Sequence, residues 1–126
     1  MPAITVHVGD EEFEGELDEE LAPETVQDIL DSLPLEGEAN TWGEEIYFPI
    51  PIDREPENAR GTVSKGELGY WPTGNAFCIF YGKTPMSDSE EEIKPASPVT
   101  PLGRVENADD LKKHGAGEQV RVELAE

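Results

Sequence analysis

The chain has 126 residues, 29 of them acidic and only 9 basic, for a formal net charge of -20. That length fits one domain spanning residues 1–126, with enough chain for a single core. A surface this negative, with no basic stripe, excludes nucleic-acid backbones and anionic membrane surfaces as partners.

Ile4, Val6 and Val8 alternate with Thr5 and His7, which predicts a strand with one buried face. Gly9-Asp10 turns the chain, and Phe13 and Leu17 mark a second strand. Residues 22–33 carry the one strong helix signal. Pro23 suits the first helical position, and Val26, Ile29, Leu30 and Leu33 repeat at helical spacing. Pro34 ends the helix. Residues 39–52 contain a strand pair around Trp42 and Glu45-Ile46-Tyr47-Phe48, and Pro49 and Pro51 limit its ladder. Residues 53–61 read as a polar loop. Val63 and residues 68–71 are extended, and Pro72-Thr73-Gly74-Asn75 is a turn. Residues 76–81 form the strongest strand of the chain. Residues 85–98 are a loop rich in proline and acid, and residues 99–105 return as a strand. A short helix follows at 108–114, stopped by Gly115. Val120, Val122 and Leu124 alternate in the last strand.

About eight short strands with frequent turns and two helices predict a mainly β fold: a closed or nearly closed eight-stranded antiparallel barrel capped by the helices. A sandwich is the alternative. No apolar run approaches the roughly 18 residues of a membrane helix. Met1-Pro2-Ala3 leads straight into a strand without a signal segment, so a cytoplasmic location is expected. The lone Cys78 excludes an internal disulfide and a cysteine-rich zinc site.

No catalytic set can be assembled from these residues. His7 lies within a strand and His114 at a helix end, and Cys78 sits between Phe77 and Ile79 as a buried small hydrophobe. Asp88, Glu90, Glu91 and Glu92 match no calcium-loop spacing and read as a solvated acidic loop. No metal or cofactor is expected. The aromatic residues are a better clue: eight of the nine lie between Trp42 and Tyr81. Period-two alternation puts Ala76, Cys78 and Phe80 on one strand face and Phe77, Ile79 and Tyr81 on the other. One face fills the barrel. The other, with Tyr47 and Trp71, lines an apolar groove or packs under the loops.

The segments Asn40-Thr41-Trp42-Gly43-Glu44-Glu45-Ile46-Tyr47-Phe48, Gly69-Tyr70-Trp71-Pro72 with Gly74, Phe80-Tyr81-Gly82-Lys83-Thr84-Pro85-Met86-Ser87 and Pro95-Ala96-Ser97 resemble the small bacterial and archaeal cyclophilin-like family. The resemblance runs from Ile4 to Leu124 and implies a compact cyclophilin barrel. Residues 74–80 and Gly103-Arg104-Val105 are more thinly similar to segments of the large cyclophilins. Those enzymes isomerise prolyl bonds with an arginine in a Phe-His-Arg-Val strand, aided by a phenylalanine and a glutamine. The matching strand here, residues 44–50, has no arginine. Arg54 follows two prolines in a loop, and no glutamine lies between Gln27 and Gln119.

Amide resonance sets a barrier of about 18–20 kcal/mol. Losing a preorganised donor typically costs about 2.7–4 kcal/mol, or roughly 10²–10³ in rate. The expected function is therefore a cyclophilin-like binding module that holds a proline-containing peptide or a small apolar ligand, with weak isomerase activity or none. Its candidate walls are Tyr47, Phe48, Tyr70, Trp71, Phe77, Phe80 and Met86, with Thr84 as a polar contact. The rival reading is an active prolyl isomerase that uses Arg54 or a tyrosine hydroxyl. A hydrolase has no support beyond abundant carboxylates.

Crowded carboxylates repel one another and destabilise a compact state. A salt-rich, halophilic cytoplasm is thus the expected setting. Between about 0.1 M and about 1 M KCl the Debye length falls from roughly 10 Å to 3 Å. The melting temperature should rise markedly between about 0.1 M and about 2 M KCl, and a flat or falling midpoint would contradict the expectation.

Overall fold

The computed structural model describes residues 2–89 and 91–125. The elements in chain order are β1 (Ala3–Val8), β2 (Glu11–Leu17), α1 (Pro23–Ser32), β3 (Leu35–Glu38), β4 (Asn40–Thr41), β5 (Glu45–Pro49), β6 (Glu67–Trp71), β7 (Ala76–Phe80), β8 (Thr100–Val105), a 3-10 helix (Ala108–Lys113) and β9 (Gln119–Leu124). All pairings are antiparallel, in one sheet of order β3-β9-β1-β2-β8-β6-β7-β5-β4.

The sheet curls into a nearly closed barrel, and the chain itself bridges the seam. Its two edge strands, β3 and β4, are consecutive in sequence with only Ala39 between them. The Ala39 N–H donates to the Glu118 carbonyl at 2.8 Å, and its own carbonyl accepts from Gly117 N–H at 2.9 Å. Gly37 of β3 lies flush against the Phe48 ring of β5, where an added Cβ would come within 2.8 Å of the ring. Closure leaves few unpaired strand edges.

The described residues form nine strands rather than about eight. The additional strand, β3, reads Leu-Glu-Gly-Glu, and only Leu35 is buried. It carries no alternating apolar signal and is extended because β9 pairs with it from Leu35↔Val122 to Glu38↔Gln119.

Two apolar clusters divide the strands by face. Ile4, Val6, Val8, Ile46, Phe48, Leu68, Tyr70, Phe77 and Ile79 fill the barrel, together with Val26 and Ile29 of α1 and Leu111 of the 3-10 helix. Cys78, Phe80 and Ala76 point the other way, against Val63, Ile93 and Val99, with Tyr47 and Trp71 packed on them. Every residue of β7 is therefore buried. Its outer face is roofed by the loops on either side of the β6–β7 hairpin. Bridges Val63↔Ile93 and Arg60↔Val99 tie the first loop to the second.

The N-terminus of α1 is satisfied from a distance. Ala22 has no side chain with which to cap it. Glu57, in the first loop, accepts from the Glu24 N–H at 3.2 Å and from the Thr25 N–H and hydroxyl at 2.8 Å each. Burial alone would raise the Glu57 pKa, but these bonds outweigh it and lower it. The loop is thereby anchored to the helix. No helix among the described residues is long and apolar enough to cross a membrane.

Candidate functional site

The site begins with a tight turn. Between β4 and β5 the Trp42 N–H donates to the Glu45 carbonyl at 3.0 Å. Gly43 takes φ +60°, and a Cβ there would come within 2.9 Å of backbone atoms of Lys83 and Thr84. Only glycine combines that dihedral with that approach. The turn sets Trp42 at the mouth of the outer face and starts β5 with Glu45.

Period-two alternation then decides what points outward. Ile46 and Phe48 enter the barrel, while Tyr47 joins the outer cluster and Glu45 lines the same outer cavity. On β6, Leu68 and Tyr70 point in and Trp71 out. Trp71 and Tyr47 stand nearly perpendicular, at 74°, with ring centroids 6.1 Å apart. The Trp71 indole N–H donates to Ser97 Oγ at 2.6 Å. Its benzo edge rests over Gly74, where a Cβ would be only 2.5 Å away.

The loop roof stops short of this corner and leaves a cavity of about 140 Å³ lined by Trp42, Glu45, Tyr47, Trp71, Pro95, Ala96 and Val99. That is close to the roughly 150 Å³ that holds one benzene in a protein core, and below the roughly 300–1,000 Å³ of drug-sized pockets.

The eight residues singled out from sequence fall in four places. Tyr47 and Trp71 line the cavity. Phe48, Tyr70 and Phe77 face the barrel interior, and Phe80 lies buried in the outer cluster beneath the loops. The Tyr70 hydroxyl donates to the Ile52 carbonyl at 2.7 Å and so pins the first loop. Thr84 is buried and bonds to Ser87 at 2.9 Å and to the Lys94 carbonyl, folding the proline-rich loop. Met86 is about half exposed, on that loop, outside the cavity lining.

Sequence reasoning missed Glu45, Pro95, Ala96 and Val99 and did not single out Trp42 as a wall. Alternation along β5 places Glu45 on the same face as Tyr47, so Glu45 was readable. The roofing residues were not, because they arrive from a loop.

Arg54 lies elsewhere. Its guanidinium bonds Asp28 and approaches Glu24 at 3.9 Å, both on α1. Burial opposes the charge of His114, but bonds to Glu11 at 2.9 Å and Glu118 at 2.7 Å outweigh it and raise its pKa. His7 bonds Glu123 at 2.6 Å. His7 thus ties β1 to β9, and His114 ties β2 to the turn before β9. Among the described residues no group of three His, Cys, Asp or Glu is placed to hold a metal ion. Glu90, one of the four loop acids considered above, lies outside them.

Glu45 is the chemically unusual group. It is 5% exposed, and burial pushes its pKa from 4.5 up to about 7, with the Cys78 thiol opposing the shift. Cys78 is itself fully buried, and burial, reinforced by the Glu45 charge, drives its thiol pKa well up. The thiol therefore stays protonated and unreactive.

Because the folded protein binds the Glu45 proton more tightly than the unfolded chain, the stability cost appears as pH rises above 4.5 and is complete above about 7. Glu45→Gln removes that loss. In paired denaturant unfolding, its stability minus that of the wild type should grow by about 3 kcal/mol from pH 4.5 to beyond pH 7. His114 titrates equally in both proteins, so the difference isolates Glu45. A difference flat with pH would contradict the assignment.

Comparison with known proteins agrees with this architecture. The family model described as Cyclophilin-like matches residues 2–123. The solution structure of the hypothetical protein AF2241 from Archaeoglobus fulgidus is 44% identical, with a TM-score of 0.81 over 98% of this chain and 95% of that one. McbB, solved in complex with tryptophan, is 19% identical with a TM-score of 0.71. The match covers 96% of this chain but only 44% of McbB, and at that identity the likeness is one of fold. No curated protein matches the sequence. The family match over nearly the whole length and the 44% identical archaeal neighbour make this chain a member of the cyclophilin-like family.

Proposed function

We propose that the chain is a binding module that seats one compact group, from a small ligand or from a single side chain of a peptide, in the cavity beside Glu45. The observation that carries this reading is the cavity itself. Two tryptophans and a tyrosine wall a surface pocket of about 140 Å³, with one carboxyl among its lining groups and no guanidinium. Indole and phenol rings give large apolar contact for little entropy loss. Trp71 is held by Ser97 and Gly74, so the wall is preorganised.

The size bounds the affinity. The smallest ligands gain at most roughly 1.5 kcal/mol per non-hydrogen atom. A group of about five such atoms therefore binds no tighter than roughly micromolar. An extended peptide would seat one side chain here and lie otherwise on the surface.

Prolyl isomerisation is the weaker reading. Arg54 is engaged with Asp28, and the Tyr70 hydroxyl is buried on the Ile52 carbonyl. Neither lines the cavity. Without a donor aimed at the prolyl nitrogen, peptide isomerisation should run at least about 10²-fold below that of ordinary cyclophilins. In the same samples, a proline-containing peptide or a small apolar ligand should change the intrinsic fluorescence, because both tryptophans of the chain line the cavity. Robust turnover lost in Arg54→Ala would replace the binding reading with the isomerase one. Silence of the fluorescence toward every compact ligand would remove it.

A further inference from the structure

The cavity's polarity is lopsided. Of its lining side chains, Glu45 is the one that can carry a charge near neutral pH, and the others are aromatic or aliphatic. The Trp71 N–H is already engaged by Ser97. Such a lining repels an anion through the Glu45 carboxylate, and its other donors, the Trp42 N–H and the Tyr47 hydroxyl, carry no charge. It offers a cation two things: the negative faces of aromatic rings and a carboxylate.

Glu45 also lacks an ionic partner. Among the described residues no ion pair reaches it, and the influences on its ionisation are burial and the Cys78 thiol. Its neighbour Glu44 turns away, lying against Gly82 with Lys112 Nζ at 3.8 Å. A buried carboxyl without a countercharge is costly, and a bound cation would offset that cost.

The geometry suits one ligand class. Tyr47 and Trp71, at 74° to each other, form two adjoining walls, and Trp42 comes from the β4–β5 turn as a third. Three rings and a carboxyl around a cavity about the size that holds one benzene match a compact ammonium group whose charge is spread over alkyl substituents. A bare ammonium or alkali ion fits poorly, because its strong hydration would be lost to apolar walls.

We propose that the cavity is a cation cage selective for a tri- or tetra-alkylated ammonium head, with Trp42, Tyr47 and Trp71 as the aromatic walls and Glu45 as the countercharge. The inference rests on the binding function proposed above and specifies its ligand.

Binding is linked to pH through Glu45. Cys78 of β7 is the titratable group packed against it and stays neutral, and Tyr47 shares its strand face. Trp71 of β6 and Pro95, Ala96 and Val99 from the roofing loop bring no titratable side chain. Below about pH 7 the cation must displace the Glu45 proton, so the carboxylate's part of the affinity falls about tenfold per pH unit.

The test is calorimetric and fluorescence titration with choline and with 3,3-dimethylbutan-1-ol, its uncharged carbon isostere. Titrations run in about 1 M KCl, so that loose attraction to the acidic surface is screened. At pH 8 choline should bind at least about tenfold more tightly than the isostere. That preference should fall at pH 5 and in Glu45→Gln to the part the rings supply, and Trp42→Ala should weaken choline binding. Equal affinity for the two ligands would overturn the cage while leaving the binding function standing. A choline preference left undiminished in Glu45→Gln would remove Glu45 as the countercharge and also overturn it. Binding of neither ligand would overturn the cage, and the peptide and apolar-ligand titrations described above then decide the binding function.

Discussion

The constraint on which the rest of the structure depends is that β7 is buried on both faces. Its sequence, Ala-Phe-Cys-Ile-Phe, is apolar without a break, so no orientation leaves a polar side to water. Phe77 and Ile79 meet the barrel core, and Cys78 and Phe80 then require a second cover. A chain this short has no spare layer of helix to provide one. The cover comes from loops, stapled by Val63↔Ile93 and Arg60↔Val99 and fastened through Thr84, Ser87 and Lys94. Loops tile a sheet face imperfectly. The gap they leave, at the corner of Trp42, Tyr47 and Trp71, is the candidate site. The same cover removes water from Glu45 and makes its carboxyl reluctant to ionise.

Barrel closure and site formation share one stretch of chain. Residues 35–49 supply β3 at one sheet edge, cross the seam at Ala39, and return as β4 and β5 at the other edge. The turn that follows the seam crossing carries Trp42, and the strand after it carries Glu45 and Tyr47. The positions of three of the four proposed ligand contacts are therefore fixed by the closure of the fold. The fourth, Trp71, is held by Gly74 and Ser97 from the adjoining turn and loop.

Much of the fold was legible in the sequence because its signals are local. The alternations of Ile4, Val6 and Val8 and of Val120, Val122 and Leu124 mark strands that pair with one another. The helical stripe of Val26 and Ile29 marks α1. What escaped is non-local. β3 is a strand because β9 lies beside it, and nothing in Leu-Glu-Gly-Glu says so. The site was half legible. Tyr47 and Trp71, named among the candidate walls for their aromatic character, line the cavity, and Glu45, on the same strand face as Tyr47, was overlooked among 29 acids. Phe48, Tyr70 and Phe77 have the aromatic character of a pocket wall, but their phase takes them into the barrel. Pro95 and Val99 reach the site through the path of a loop, which periodicity does not describe.

The central claim is that this corner holds a desolvated carboxyl facing a preformed aromatic cavity. The measurement that bears on it most directly is a pH titration of the Glu45 side-chain carboxyl carbon by NMR in the ligand-free protein. The account predicts a midpoint at about 7. A midpoint in the ordinary glutamate range, around 4.3, would show that water reaches the carboxyl freely and would contradict it.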